Sequence, residues 1–373
     1  MGTTSDRVLK FGGAALADAA AMRRMVELVP TRAARPVVVV SAHEGVTRAL
    51  EAAWQASREG RRNWDAVRVR HRSLVRELGL SPLVVEALLR ELGTVLAVFA
   101  AEKAGDRAGR DLVLSYGERL SARLVAAALR AAGHASFAAD AFDLGLVVGA
   151  DGLPDEASSN RVRDRLSAQP GIPVVTGFLA LDREGRVVTL GPDGSDLTAV
   201  WLGRALGDVG VELFKTVRGW LTVAPEWLAG GVELASLSRV LAHELARRGA
   251  NVIHPRALEV AGAGELLLVD VRAPARGTSL VDRAPAPGVP VALVAEEHPL
   301  GACITVVGGE VGVDATFAEA WTARVGDSGW IAGERSMHAF GAVVAVPDAT
   351  RTLERWHAAL LDWHQPAATR KSP

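Results

Sequence analysis

Arg7-Val8-Leu9-Lys10-Phe11-Gly12-Gly13 is a mostly apolar run that closes on paired glycines. It reads as a short buried strand entering a tight turn, with a helix opening near Ala17. Strand, glycine turn and helix together make an anion site. Glycine lets the backbone approach a phosphate, and the N–H groups of a helix start face it. Lys10, at the strand end, can place an ammonium on the same phosphate. The plainer reading is a turn beside a surface lysine. A second glycine-rich turn, Thr189-Leu190-Gly191-Pro192-Asp193-Gly194-Ser195-Asp196, also follows a strand and opens a helix. Two such loops at the ends of parallel strands would face one ligand across the sheet.

Composition narrows the classes. At 373 residues the chain has room for about two or three domains. Hydrophobic content of 49% and charged content of 23% suit a globular protein. A net charge of -1 gives no electrostatic case for nucleic acid or membrane as partner. Arg68, Arg70, Arg72 and Arg76 form a local basic cluster; three of them recur at helical spacing and read as a solvated helix face. The single cysteine, Cys303, excludes an intramolecular disulfide and favours a reducing compartment. The polar start lacks a secretory apolar segment, Asp6 breaks the myristoylation pattern begun by Gly2, and no apolar run nears the ~18 residues of a span. A soluble cytoplasmic protein is expected.

Along the chain, residues 7–150 alternate strands and helices, which argues for a parallel sheet covered on both faces. Helix is expected over 18–29, a doubly buried strand over 36–41, and helical pattern over 47–103 with breaks near Gly60 and Gly79. Residues 111–114 read as a strand leading through Ser115-Tyr116-Gly117-Glu118 into a helix over 119–132. Strands follow at 135–140, 173–176, 187–190, 211–215 and 265–271, with Glu184-Gly185 as a hairpin turn and helices at 193–206 and 237–248. Residues 273–290, rich in proline, read as a linker. Beyond it strands at 302–307, 330–334 and 342–347 alternate with helices at 316–324 and 348–363, and 365–373 looks like a frayed tail.

These motifs resemble the aspartokinases of the amino acid kinase superfamily, in order, over residues 7–280. Lys10-Phe11-Gly12-Gly13 looks like the first phosphate loop, and Val39-Val40-Ser41-Ala42 with Gly45-Val46-Thr47 like the substrate turn. Ser115-Tyr116-Gly117-Glu118-Arg119-Leu120-Ser121-Ala122 is similar to the family's Ser-x-Gly-Glu-x-Leu-Ser-Ala. Thr176-Gly177-Phe178, Thr189-Leu190-Gly191 and Gly194-Ser195-Asp196 match the central signature, and His254-Pro255-Arg256-Ala257 the domain's end. The resemblance implies an α/β amino acid kinase fold, a parallel-rich sheet between helices in three layers. It further implies a small α+β ACT-like (ferredoxin-like) domain. Domains are accordingly expected at 1–280 and 291–373, joined by a linker at 281–290.

The activity implied is transfer of the γ-phosphoryl of ATP, with Mg2+, to the carboxylate of aspartate or a related amino acid. Such a reaction joins two anions, so charge and positioning carry it. By resemblance, Lys10 and Asp196 are catalytic, Asp196 by orienting Lys10. Gly12, Gly13, Gly191, Gly194, Ser195, Lys215 and Thr216 are expected to hold the nucleotide. Ser41, Thr47 and Glu118 are expected to hold the amino acid, Glu118 through its ammonium; no protein-held metal is expected. The residue-level alternatives are a helix cap for Thr47 and a helix N-terminal carboxylate for Glu118.

The departures are as specific. Ala14 and Ala15 stand for the family's Thr-Ser, Pro192 for the arginine that grips the substrate carboxylate, and Asp193 for a glycine. Lys215-Thr216-Val217-Arg218-Gly219 and Ala224-Pro225-Glu226 replace nucleotide-side motifs, and Asn251 replaces a lysine. Losing one buried charge-assisted contact costs about 2–5 kcal/mol. Aspartate is therefore expected to bind poorly unless Arg48, Arg218 or Lys215 compensates. Two functions fit: an aspartate-kinase-like enzyme, or a catalytically impaired homologue that binds a small molecule and regulates. With only one complete ACT-like unit, a homodimer through residues 302–363 is expected, anchored by Trp321 and Trp356, with lysine or threonine feedback reduced.

Overall fold

The computed structural model describes residues 6–103, 105–250, 252–326 and 331–364. Asn251, the tail from 365 and the first five residues lie outside them, as does Trp330 of the expected strand at 330–334. The chain divides into two compact units, Met1–Thr216 with Arg256–Ala273, and Val217–Pro255 with Pro274–Pro373. Packing therefore groups residues 217–255 with the C-terminal part, whereas the sequence division kept them within 1–280.

In the first unit, strands β1 (Arg7–Phe11), β2 (Pro36–Val40), β3 (Ser136–Ala139) and β4 (Ile172–Thr176) belong to one parallel sheet. A small hairpin, β5 (Leu179–Leu181) with β6 (Val187–Thr189), stands outside that sheet. Strands β7 (Gly210–Lys215) and, after β8 (Ser236–Ser238) of the second unit, β9 (Leu266–Asp270) join it, and the strands of this unit run in the order β3-β4-β2-β1-β7-β9. Glu184-Gly185 thus turns β5 into β6 rather than joining β4 to β6, and the second glycine loop follows a hairpin strand instead of a sheet strand. One face of the sheet carries α1 (Ala19–Arg32) and, beyond α2 (Val46–Arg58), α3 (Asp65–Glu77) and α4 (Leu83–Glu102), the long α5 (Arg107–Ala131). After α6 (Ser159–Ser167), α7 (Gly194–Ala205) packs on β1 and β7.

The expected strand over 111–114 is the main error. Residues 107–131 form one helix, capped by the Asp106 carboxylate accepting from Gly109 N–H at 2.9 Å. The helix is buried on nearly every side from Val113 to Leu129, so it shows no amphipathic period. Its apolar Leu112-Val113-Leu114 run then imitates a strand.

The second unit contains β8 and β10 (Gly277–Val281) in parallel, with α8 (Arg239–Arg247) between them in sequence, while α9 (Pro255–Glu259) belongs to the first unit from Arg256 onward. Strand β10 lies inside the expected 273–290 linker: its alternation Gly-Thr-Ser-Leu-Val is flanked by prolines that mask it. A four-stranded antiparallel sheet follows, β11 (Val289–His298), β12 (Gly301–Gly309), β13 (Ile331–Ser336) and β14 (Ala339–Val344), ordered β11-β12-β14-β13. Helices α10 (Ala315–Val325) and α11 (Val346–Trp363) share its core. β11, ten residues long, takes the place beside β12 and pairs with it from Val289 to His298. Trp321 and Trp356, expected across a dimer, are 0% and 1% exposed inside this core, their rings T-shaped at 5.6 Å.

Candidate active site

Strand parity aims Lys10. Leu9 and Phe11 enter the core shared with α1 and α5, so the residue between them faces the α7 side. There it meets Asp196 in the first turn of α7, with Lys10 Nζ 2.6 Å from Oδ1. Lys215, the last residue of β7, reaches the other oxygen: its Nζ lies 2.5 Å from Oδ2. Burial pushes the Asp196 carboxyl up, but the two lysines outweigh it and hold it down at about 2. Burial lowers Lys10, Asp196 opposes that, and the Lys215 charge lowers it again. Two ammoniums on one carboxylate leave a buried positive charge that a bound anion would neutralise.

Gly13 allows the turn after β2 to close on the glycine turn. A Cβ there would lie 2.6 Å from Ala42 O. The Glu44 N–H donates to Gly13 O at 3.2 Å and the Ser41 N–H to Phe11 O at 3.1 Å. A Cβ at Gly12 would stand 3.5 Å from Lys10 Nζ, so this glycine keeps the ammonium approachable. Glu118, midway along α5 and 3% exposed, accepts from Ala42 N–H at 3.1 Å through Oε1. Its Oε2 is buried without a hydrogen bond. Burial pushes the Glu118 carboxyl up to about 8, against the pull of the Ala42 N–H and Lys10. The dipole alternative for Glu118 falls, because the residue is far from either helix end.

A cavity of about 540 Å³ gathers Lys10, Ser41, Thr47 and Glu118 on one side and Gly191, Gly194 and Ser195 on the other. Asp196 and Lys215 lie behind Lys10, while Gly12, Gly13 and the half-buried Thr216 do not line this space. Pro192 and Asp193 do line it, Gly191 and Asp193 both in the left-handed region at φ 80° and 52°. Arg48 does not; the cations lining it besides Lys10 are Arg107 and Arg110 of the first turn of α5. Arg110 NH2 lies 2.7 Å from Glu51, and Arg107, 84% exposed, only 3.8 Å from Asp111. Sequence reasoning missed both arginines because it placed no helix there. Asp111 anchors the opposite wall, accepting the Thr189 hydroxyl at 3.0 Å and its N–H at 3.2 Å. A second cavity of about 600 Å³ shares Arg107, Thr189 and Gly191, but Lys10 and Glu118 do not reach it.

A parallel sheet whose strand ends carry glycine turns and a buried lysine cluster defines an amino-acid-kinase type of site, and the profile of the amino acid kinase family matches residues 7–269. The chain belongs to that family. Within it, the chain is similar to aspartokinases. Chloroplastic aspartokinase 1 of Arabidopsis thaliana is 33% identical over 275 residues, 69% of this chain and 48% of the relative. Lysine-sensitive aspartokinase 3 of Escherichia coli is 32% identical over 266 residues, 67% of this chain and 58% of the relative. The chain thus spans about half the length of these relatives. The fold is shared with solved structures. Escherichia coli aspartokinase III superposes with a TM-score of 0.79 at 21% identity, covering 95% of this chain and 99% of that one. Clostridium acetobutylicum aspartate kinase gives 0.81 at 17%, covering 95% and 100%.

Proposed function

We propose that this chain is an aspartate-kinase-like phosphotransferase that moves the γ-phosphoryl of ATP to the carboxylate of aspartate or a related amino acid. The observation that carries the reading is the net-positive, buried Lys10–Asp196–Lys215 cluster opening onto a cavity that also holds Glu118. The cluster suits phosphate oxygens, with Gly12 and Gly13 offering close backbone approach. Because both oxygens of Asp196 are engaged by lysines, Mg2+ fits this site on nucleotide phosphates rather than on that carboxylate. When bound, Mg2+ supplies further neutralisation of phosphate charge.

In this reading Lys10 and Lys215 draw negative charge from the transferring group, and Asp196 holds their ammoniums in place. Ser195 and Ser41 offer hydroxyls at opposite walls. Glu118 takes the acceptor's ammonium, and Arg107 with Arg110 takes a carboxylate, standing in for the fork that Pro192 cannot provide. The second reading, a homologue that binds without catalysis, draws on Pro192 and Asp193 lining the cavity. Isothermal titration with ATP and Mg2+ separates the two. The kinase reading expects saturable binding that Lys10→Met weakens at least tenfold; no binding favours the second.

We further infer that the β11–β14 sheet with α10 and α11 is an ACT-like regulatory domain, and that the chain is a cytoplasmic homodimer. Sheet order β11-β12-β14-β13 with two helices matches a ferredoxin-like layout in which β11 supplies the edge strand from the N-terminal side. With Trp321 and Trp356 committed internally, the outer edge of β13 is the pairing surface. Light scattering of the intact chain tests this; a monomer at all concentrations overturns it. Among the described residues no helix is long and apolar enough to cross a membrane.

A further inference from the structure

Arg68, Arg72 and Arg76 of the basic cluster recur along α3 with solvent-accessible side chains, as their helical spacing predicts. Arg70 leaves that row, its guanidinium donating to Ala17 O. Arg68 and Arg72 also join Arg62 and Arg90 around a cavity of about 510 Å³ between α3 and α4, lined by one carboxylate, Glu86. Glu86 is taken by Arg72 through two hydrogen bonds of 2.7 and 2.9 Å. Arg68 gives one guanidinium nitrogen to Asp65, and its Nε is buried without a partner. The side chains of Arg62 and Arg90 make no hydrogen bond or ion pair among the described residues. Four guanidiniums so close repel one another, and Asp65 and Glu86 set two carboxylates against the four charges.

The wall of the cavity is shaped as well as charged. Trp64 lies against Gly93, where a Cβ would stand 2.9 Å from its ring. Arg68 sits over that ring at 5.8 Å, and Leu89, Gly93 and Ala97 line the cavity. The Arg68 guanidinium over Trp64, the aliphatic surface of Leu89 and Ala97, and the charges of Arg62 and Arg90 are the chemistry that takes a flat ring with a polyanionic tail. We propose that this groove is a second ligand site, distinct from the Lys10 cavity, for a nucleoside polyphosphate.

The test is isothermal titration of the full chain with ADP, with inorganic tripolyphosphate and with a short single-stranded oligonucleotide as comparison probes. Variants are Arg62→Glu/Arg90→Glu, the milder Arg62→Gln/Arg90→Gln, and Lys10→Met. The expected result is an ADP-binding event that the charge reversal weakens at least tenfold, the neutral pair weakens less, and Lys10→Met leaves unchanged. Tripolyphosphate should bind the same groove more weakly than ADP, for want of a ring. An isotherm unaltered by Arg62→Glu/Arg90→Glu, with the variant folded by circular dichroism, overturns the proposal. So does oligonucleotide binding at least tenfold tighter than ADP at this groove, which would make it a nucleic-acid contact. Should the kinase reading fail, Lys10→Met would alter no binding event, while the arginine effect would stand.

Discussion

Lys10 and Asp196, 186 positions apart in sequence, form a buried ion pair at 2.6 Å in which neither side chain is more than 6% exposed. Lys215 on the second oxygen makes the group a triad with one positive charge in excess. Removing the carboxylate leaves two ammoniums buried together. Asp196→Asn should therefore cost about 3–5 kcal/mol in urea denaturation, the range for breaking a buried pair. Lys10→Met combined with Asp196→Asn should recover part of that loss, since one uncompensated charge is gone. A cost below about 1 kcal/mol in the single variant would contradict the buried triad.

Glu118 gives the chain a pH signature. Its carboxyl titrates at about 8 in the fold, against an ordinary carboxylate value in the unfolded chain. A raised carboxyl pKa means the unfolded state loses its proton first. The stability contribution is thus complete at acid pH, declines once pH passes the ordinary carboxylate value, and is fully lost above about 8. Glu118→Gln does not titrate, so its stability advantage over the natural chain should grow between pH 5 and 9 by on the order of a few kcal/mol. Denaturation curves at pH 5, 7 and 9 decide this; a constant difference would place the carboxylate in a wetter setting.

An acceptor ammonium beside Glu118 favours the ionised carboxylate. Acceptor binding below pH 8 should release a proton, detectable by calorimetry in buffers of different ionisation heat. Affinity should rise with pH until Glu118 is ionised. Binding without proton release would remove Glu118 from the acceptor subsite.

The arginine pair makes a kinetic prediction. Arg107→Ala/Arg110→Ala should raise the acceptor KM about tenfold or more with a much smaller change in kcat, as expected for uniform binding of a carboxylate. Pro192→Arg/Asp193→Gly should lower KM in that background by restoring a fork and relieving the left-handed φ of 52° at Asp193. Unchanged KM in Arg107→Ala/Arg110→Ala would assign the carboxylate elsewhere.

Much of this was legible in residue order, and the failures have physical causes. β1 and β2 show themselves because a parallel strand buried on both faces is an unbroken apolar run ending in a turn. Their neighbours α2, α3 and α4 show through glycines and Pro82 at the breaks. By contrast, α5 is surrounded by protein and lost its period, which hid Arg107 and Arg110 on its first turn. The pairing of Lys10 with Asp196 was implied by the family resemblance, yet the matching role of Lys215 depends on β7 lying beside β1, a pairing no local pattern encodes. β10 vanished among prolines, and the burial of Trp321 and Trp356 within their own unit is a matter of packing that alternation does not reveal.

The most direct measurement is ATP-dependent hydroxamate formation, in which hydroxylamine traps the acyl phosphate, run with aspartate and a panel of related amino acids. The account predicts hydroxamate from at least one acceptor, with kcat lowered more than about 100-fold in Lys10→Ala. No hydroxamate from any amino acid at high protein concentration, or an undiminished rate in Lys10→Ala, would contradict it.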